Sequence, residues 1–186
     1  MIGNDVVDLQ LAKQQSNWQR PGFLEKQFTK SEQTVIANSE NPFLQVWLLW
    51  SMKEAAYKCY VQQVQTRFFA PLKFVCKLLK NNKGVVFFED KMFYVKYCLS
   101  KMWVYTIASD SKNLNLATTL FFKNKNTSCT KIENQKKGTF FSNNLLIKKN
   151  HVGIPYLYRN SKKLPISISK THHGNFEALV LLPDND

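Results

Sequence analysis

Arginine is scarce in this chain. It occurs three times, at Arg20, Arg67 and Arg159, so nearly all of the 26 basic residues are lysine. Proteins built to read nucleic acid generally use more arginine, whose planar fork suits phosphate and guanine, so a dedicated nucleic-acid binder is disfavoured. Cysteine is scarce as well: Cys59, Cys76, Cys98 and Cys129 form no CxxC pair. The three histidines, His151, His172 and His173, stand at no zinc spacing from them. Reduced thiols in a cytosolic protein are the expectation. No apolar run approaches the roughly 20 residues of a membrane span. The opening stretch MIGNDVVDL carries two acids and no basic region, so no signal peptide is expected. The chain therefore reads as soluble and cytoplasmic, with no membrane partner.

What is present is a globular composition. The 186 residues are 44% hydrophobic and 21% charged, enough for one domain with its own core. Only 13 acids oppose the bases, which leaves a net charge of +13. A surface of that sign attracts something negative: nucleic acid, a phosphorylated cofactor, an acidic protein or a lipid face. Lysine beside abundant asparagine also follows from an AT-rich coding sequence, so the charge alone does not choose among them.

No internal repeat and no linker stand out. Residues 2–9 read as a strand. Thr29 with Glu32 has capping-box spacing and predicts a helix from Lys30 to about Ala37. Phe43 to about Gln63 contains no breaker and predicts one long helix. After Pro71 the residues become β-branched and aromatic. Lys73–Leu79, Val85–Phe88, Met92–Leu99 and Met102–Ala108 are divided by short polar turns, which predicts an antiparallel meander. Residues 123–150 are rich in lysine and asparagine and read mainly as loop, with a possible strand at Leu145–Lys148. The expected fold class is α+β, an antiparallel sheet packed on a long buried helix, within a single domain spanning 1–186 and enlarged at about 71–150.

Three clusters carry candidate chemistry. The long helix is apolar nearly all round, yet holds Lys53, Glu54 and Lys58. Positions 47, 50, 54, 58 and 61 share one face, so Glu54 and Lys58 stand together on a stripe with Trp47, Trp50 and Val61. Buried charge requires a partner or a metal; an ordinary i,i+4 pair reaching solvent is the plainer alternative. Gly3-Asn4-Asp5 sets an acid just after a glycine on a strand, and Asp8 has the character of a helix N-cap. A carboxylate from a strand and one from a helix suit Mg²⁺, which takes few protein ligands. Gly153-Ile154-Pro155 precedes Ser167-Ile168-Ser169-Lys170-Thr171-His172-His173, a strand with hydroxyls on one face that ends in cations able to meet phosphate.

Taken in this order, the clusters resemble the 4′-phosphopantetheinyl transferase family. Its pieces are G-x-D, then W/F-S/A-x-K-E-A-x-x-K on a helix, then G-x-P and S-x-S/T-H. Here they read Gly3-Asn4-Asp5, Trp50-Ser51-Met52-Lys53-Glu54-Ala55-Ala56-Tyr57-Lys58, Gly153-Ile154-Pro155 and Ser167-Ile168-Ser169. Phe23 to Glu32 resembles the family's F-x-x-R-x-L-T-x-x-E stretch, with Lys26 for the arginine. The motif order is similar to that of small holo-acyl-carrier-protein synthases, although Asp8 stands where those often have Glu. The span from Lys58 to Gly153 is longer, and its strands are closer to the larger, two-halved type. Lys170-Thr171 intervene before the histidines.

The resemblance implies transfer of phosphopantetheine from coenzyme A to a serine of an acidic acyl or peptidyl carrier protein, with release of 3′,5′-ADP. It implies Asp5 and Glu54 as Mg²⁺ ligands, and Glu54 and Lys58 as catalytic residues. Lys53, Lys58, Gly153, Pro155, Ser169, His172 and His173 become candidate coenzyme A contacts, with Lys53 open also to a carrier role. Lys26 and Lys30 fall on the stretch that resembles a carrier-contacting region. Small synthases share each site between subunits, and one copy of each motif leads to the expectation of a homo-oligomer. Two alternatives remain at this point. One is a basic single-stranded nucleic-acid binder stacking bases on the aromatic strands 85–106. The other is a non-catalytic coenzyme A or carrier-binding relative.

Overall fold

In the computed structural model the described residues are 1–68, 70–112, 114–123 and 145–183, so Cys129 lies outside them. The chain opens with strand β1, Ile2–Asp8, then helices α1 (Leu9–Gln15), α2 (Phe23–Gln27), α3 (Lys30–Ala37) and α4 (Pro42–Val64). Asp8 does cap α1, its carboxylate accepting from the amides of Gln10 and Leu11. The expected capping box starts α3: Thr29 and Glu32 exchange both reciprocal bonds. Helix α4 begins one residue before the predicted start, with Asn41 as N-cap and Pro42 in its first turn.

Strands β2 (Val75–Leu79), β3 (Lys83–Phe88), β4 (Lys91–Leu99) and β5 (Trp103–Ser109) form the predicted meander, and β1 adds beside β5. The resulting order is β1-β5-β4-β3-β2, antiparallel throughout. Helix α4 covers one face of this sheet. Met52, Ala55, Ala56 and Cys59 are packed there with Val7, Phe93, Val95 and Ala108. The approach of β1 to α4 depends on Gly3. A Cβ at that position would lie 2.0 Å from the Ala55 carbonyl oxygen and 2.7 Å from the Cys59 nitrogen.

A second sheet contains β6 (Thr118–Lys123), β7 (Leu145–Lys149), β8 (Pro155–Arg159), β9 (Lys162–His173) and β10 (Phe176–Pro183). Its order is β6-β10-β9-β8-β7, the same winding as the first sheet. The absence of a repeat at the level of residues is thus corrected at the level of topology. The two sheets share a pattern of strand succession while filling it with different side chains. Ile2, Val6, Tyr105 and Ile107 of the first sheet meet Phe121, Phe176, Ala178 and Val180 of the second in a shared apolar layer.

The strand expected over Ser167–His173 starts already at Lys162 and runs through Lys170 to His173 before it turns. The aromatic strands also differ from a base-stacking platform. Phe88, Phe93 and Tyr105 are buried in the two cores, Tyr94, Tyr97 and Trp103 are half-buried, and Phe87 alone of these rings is exposed. No described helix is long and apolar enough to cross a membrane.

Candidate active site between the two sheets

β1 is the edge strand of the first sheet, and its free edge rests on the face of β9. Side chains alternate along a strand, so Ser169, Thr171 and His173 share one face of β9. Each accepts from a β1 amide that has no strand partner on that side. Asn4 donates to Ser169 Oγ at 3.1 Å, Val6 to Thr171 Oγ1 at 3.3 Å and Asp8 to His173 Nδ1 at 2.8 Å. The edge of one sheet is thereby joined to the face of the other by a ladder of side chains.

Asp5 sits in the middle of this joint, 8% exposed. Lys58, from α4, donates to Asp5 Oδ1 at 2.9 Å and to the Asn4 carbonyl at 2.9 Å, and lies 3.3 Å from Thr171 Oγ1. Thr171 donates to the same Asp5 oxygen at 3.1 Å. Ser51 adds a bond from α4 to Thr106 on β5, at 2.8 Å, next to the Asp5 backbone.

Glu54 lies one helical turn before Lys58. Among the described residues none forms a hydrogen bond or ion pair with its carboxylate. Burial beside Trp50, Tyr57, Phe68 and Phe74 pushes its pKa from 4.5 up to about 7. The Asp5 charge adds to the rise and Lys58 opposes it. Two carboxylates that repel one another across a site, one of them short of partners, are suited to an added cation. Oxygen donors of this kind match a hard ion such as Mg²⁺. No cluster of three or more His, Cys, Asp or Glu side chains able to hold a metal exists among the described residues. A metal here would take two carboxylates and complete its shell elsewhere.

Beside Lys58 opens a cavity of about 260 Å³. Gly153, Pro155 and Ser169 line it, as does Lys58, so four expected contacts converge. Three further cations line it: Arg67 and Lys149, which the sequence did not single out, and Lys170, one of the cations expected to meet phosphate at the end of the Ser167–His173 strand. Gly153 has φ 87°, and a Cβ there would stand 2.3 Å from an Arg67 guanidinium nitrogen, so glycine is what lets Arg67 lie against the turn. Lys170 also pairs with Glu177 at 2.7 Å.

Two expectations are corrected by this geometry. Neither histidine reaches the cavity. His173 faces β1 as an acceptor, while His172, one residue away, is exposed on the opposite face across from Glu177. The cation placed there after Ser169 is Lys170. Lys53 is 3% exposed, and its ammonium is held by Glu32 at 2.8 Å and by the Pro71 carbonyl at 2.9 Å. Glu32 in turn accepts from the amides of Thr29 and Cys76. Lys53 is thus an internal tie between α3, α4 and β2, and it does not line the cavity. Lys26 and Lys30 are exposed, as a carrier contact would require.

Residues 1–119 match the 4′-phosphopantetheinyl transferase superfamily. The match takes in well over half of the 186 residues. The chain belongs to that superfamily. Its matched span holds Asp5, Glu54 and Lys58, whereas Gly153, Ser169, Lys170 and Thr171 lie beyond it and join the site through the packing of β9 on β1. Among solved structures, similarity extends to the holo-[acyl-carrier-protein] synthase of Helicobacter pylori in complex with coenzyme A. Identity is 14% and the TM-score 0.46, covering 59% of this chain and 98% of that one. The Neisseria meningitidis synthase is 13% identical with a TM-score of 0.45, over 57% of this chain and 94% of that one. The Thermotoga maritima synthase is 11% identical with a TM-score of 0.45, over 87% and 83%. Among curated proteins none matches significantly. Membership in the superfamily and the α+β arrangement of antiparallel sheets agree with the resemblance read from the motifs.

Proposed function

We propose that this superfamily member transfers 4′-phosphopantetheine from coenzyme A to a serine of an acidic acyl or peptidyl carrier protein. The observation that carries the reading is the convergence of Asp5, Glu54 and Lys58 with a cavity lined by Arg67, Lys149 and Lys170. In the proposed step the serine oxygen bonds to the β-phosphorus of coenzyme A. The pyrophosphate bridge breaks on its far side and 3′,5′-ADP leaves. Asp5 and Glu54 would hold Mg²⁺, whose chemistry when bound is to neutralise charge on the pyrophosphate. Lys58 neutralises further charge on the reacting phosphates. Glu54, one helical turn from Lys58, takes the serine proton. Arg67, Lys149 and Lys170 hold the nucleotide phosphates, and the Gly153–Pro155 turn and Ser169 shape the cavity wall.

The carrier side is read from exposure and charge. A wide groove lies between α1, the start of α4 and the turn from β4 to β5, lined by Lys13, Trp18, Phe43, Lys101 and Met102 among others. Exposed apolar side chains rimmed by lysine suit an acidic partner, and Lys26 and Lys30 extend the same charge. The Asp5–Glu54–Lys58 group comes from β1 and α4, and the cavity from α4, Arg67 just after it, and the second half of the same chain. We therefore propose that a single chain carries a complete site, in place of the oligomer first expected, and that residues 1–186 act as one functional domain. A cytoplasmic setting goes with this reading, because the proposed substrates are found there. The test is release of 3′,5′-ADP from coenzyme A on incubation with an apo-carrier protein and Mg²⁺, followed by chromatography. Wild-type protein should release it in proportion to carrier, and Asp5→Ala should not. Release independent of carrier, or none, would contradict the proposal.

A further inference from the structure

A single hydroxyl connects the two halves at the reacting groups: Thr171, which with Ser169 and His172 also fits the S-x-S/T-H pattern, two residues on from the Ser167-Ile168-Ser169 reading. Thr171 is 5% exposed. A threonine hydroxyl has one proton and two lone pairs, and here all three are engaged. The proton goes to Asp5 Oδ1 at 3.1 Å. The lone pairs face the Val6 amide at 3.3 Å and the Lys58 ammonium at 3.3 Å. A fully engaged hydroxyl cannot rotate without losing a bond, so its position dictates those of its partners. Asp5 belongs to β1, Lys58 to α4 and Thr171 to β9 of the second sheet. Ser169 and His173 hold the flanking rungs of the same ladder and keep β9 in register with β1.

We infer that Thr171 is a positioning residue: it fixes the Asp5 carboxylate and the Lys58 ammonium relative to each other, and so couples the second half of the chain to metal binding in the first. Without its hydroxyl, Asp5 keeps Lys58 as its one side-chain partner and loses the second bond that fixes Oδ1. This rests on the transferase reading for its consequence in catalysis, though not for its effect on β1.

The test compares Thr171→Val and Thr171→Ser in the full chain. Mn²⁺ binding by electron paramagnetic resonance, with coenzyme A saturating, should weaken about tenfold or more in T171V, as loss of a ligand's hydrogen-bond partner typically does. T171S, which keeps the hydroxyl, should stay near wild type. Hydrogen exchange of the Val6 amide should accelerate in T171V and not in T171S. In transfer assays kcat should fall in T171V while KM for coenzyme A changes little. A lowered melting temperature with wild-type Mn²⁺ affinity and a wild-type kcat would show a purely structural residue and overturn the inference. Should T171V fail to fold, Thr171→Ala serves instead, and failure of both to fold also overturns it. If hydrogen exchange and Mn²⁺ binding respond as stated but wild-type protein transfers nothing, the positioning role stands and the transferase reading falls.

Discussion

Replacing Glu54 with glutamine should make the protein more stable while removing its activity. Glu54 has a pKa raised from 4.5 to about 7, chiefly by burial and secondarily by Asp5. In the unfolded chain the carboxyl loses its proton near 4.5. In the folded state it keeps that proton until about 7. Between those values the folded state binds more protons than the unfolded one, so stability falls as pH rises. Above pH 7 the full penalty applies, with a ceiling of ~3 kcal/mol for a rise of this size. Residual solvent access at Glu54 lowers the figure toward ~1–2 kcal/mol. Glutamine has the same shape and no charge to desolvate. In EDTA, E54Q should thus exceed wild type at pH 8 by several degrees in melting temperature, at ~2–4 °C per kcal/mol for a chain of this size. The gap should close as pH approaches 4.5. Mg²⁺ added on top of coenzyme A should raise the wild-type curve further and leave that of E54Q nearly where coenzyme A alone puts it. Equal melting curves for the two proteins at pH 8 would refute the buried, cation-seeking carboxylate.

Asp5→Ala should abolish transfer while melting cooperatively, and turnover near wild type in saturating Mg²⁺ would remove Asp5 from the site. Gly3→Ala should cost about 3 kcal/mol or more in urea unfolding, because the added methyl meets the α4 backbone rather than a movable side chain; a loss under ~1 kcal/mol would mean β1 and α4 are less closely apposed than described. Lys13→Glu and Lys26→Glu should raise KM for the carrier and leave KM for coenzyme A nearly unchanged, with the wild-type effect fading as salt shortens the field to about 8 Å near 0.15 M. Unchanged carrier kinetics in both would place the docking surface elsewhere.

Much of the first half was legible because its signals are local. A capping box, a stretch free of helix breakers and short polar turns each act within a few residues, and α3, α4 and the β2–β5 meander formed where they pointed. The repeated winding of the second sheet was not legible, since β6–β10 share a succession with β1–β5 and few residues. The choice between Lys170 and His173 was hidden for a related reason, whereas His172 shares the Lys170 face and lies two residues further along β9. Period-two alternation separates neighbours onto opposite faces, but which face meets β1 is decided only when the two sheets pack. Lys53 shows the limit on a helix that is apolar nearly all round. No polar face marks which cation turns inward, and Glu32, supplied from α3, decided it. Arg67 carried one signal in its rarity, being one of three arginines. Lys149 carried none, because a cavity lysine and a solvated one look alike in a chain so rich in them.

The central claim is that Asp5, Glu54 and Lys58 form a working phosphopantetheinyl transfer site, and intact-mass spectrometry of an apo-carrier protein tests it most directly. After incubation with coenzyme A, Mg²⁺ and wild-type protein, the account predicts a carrier heavier by one phosphopantetheine, with the adduct on a serine. It predicts no such adduct when E54Q replaces wild type or EDTA replaces the metal. A carrier that stays unmodified across a panel of acyl and peptidyl carriers, with folded wild-type protein and Mg²⁺ present, would contradict it.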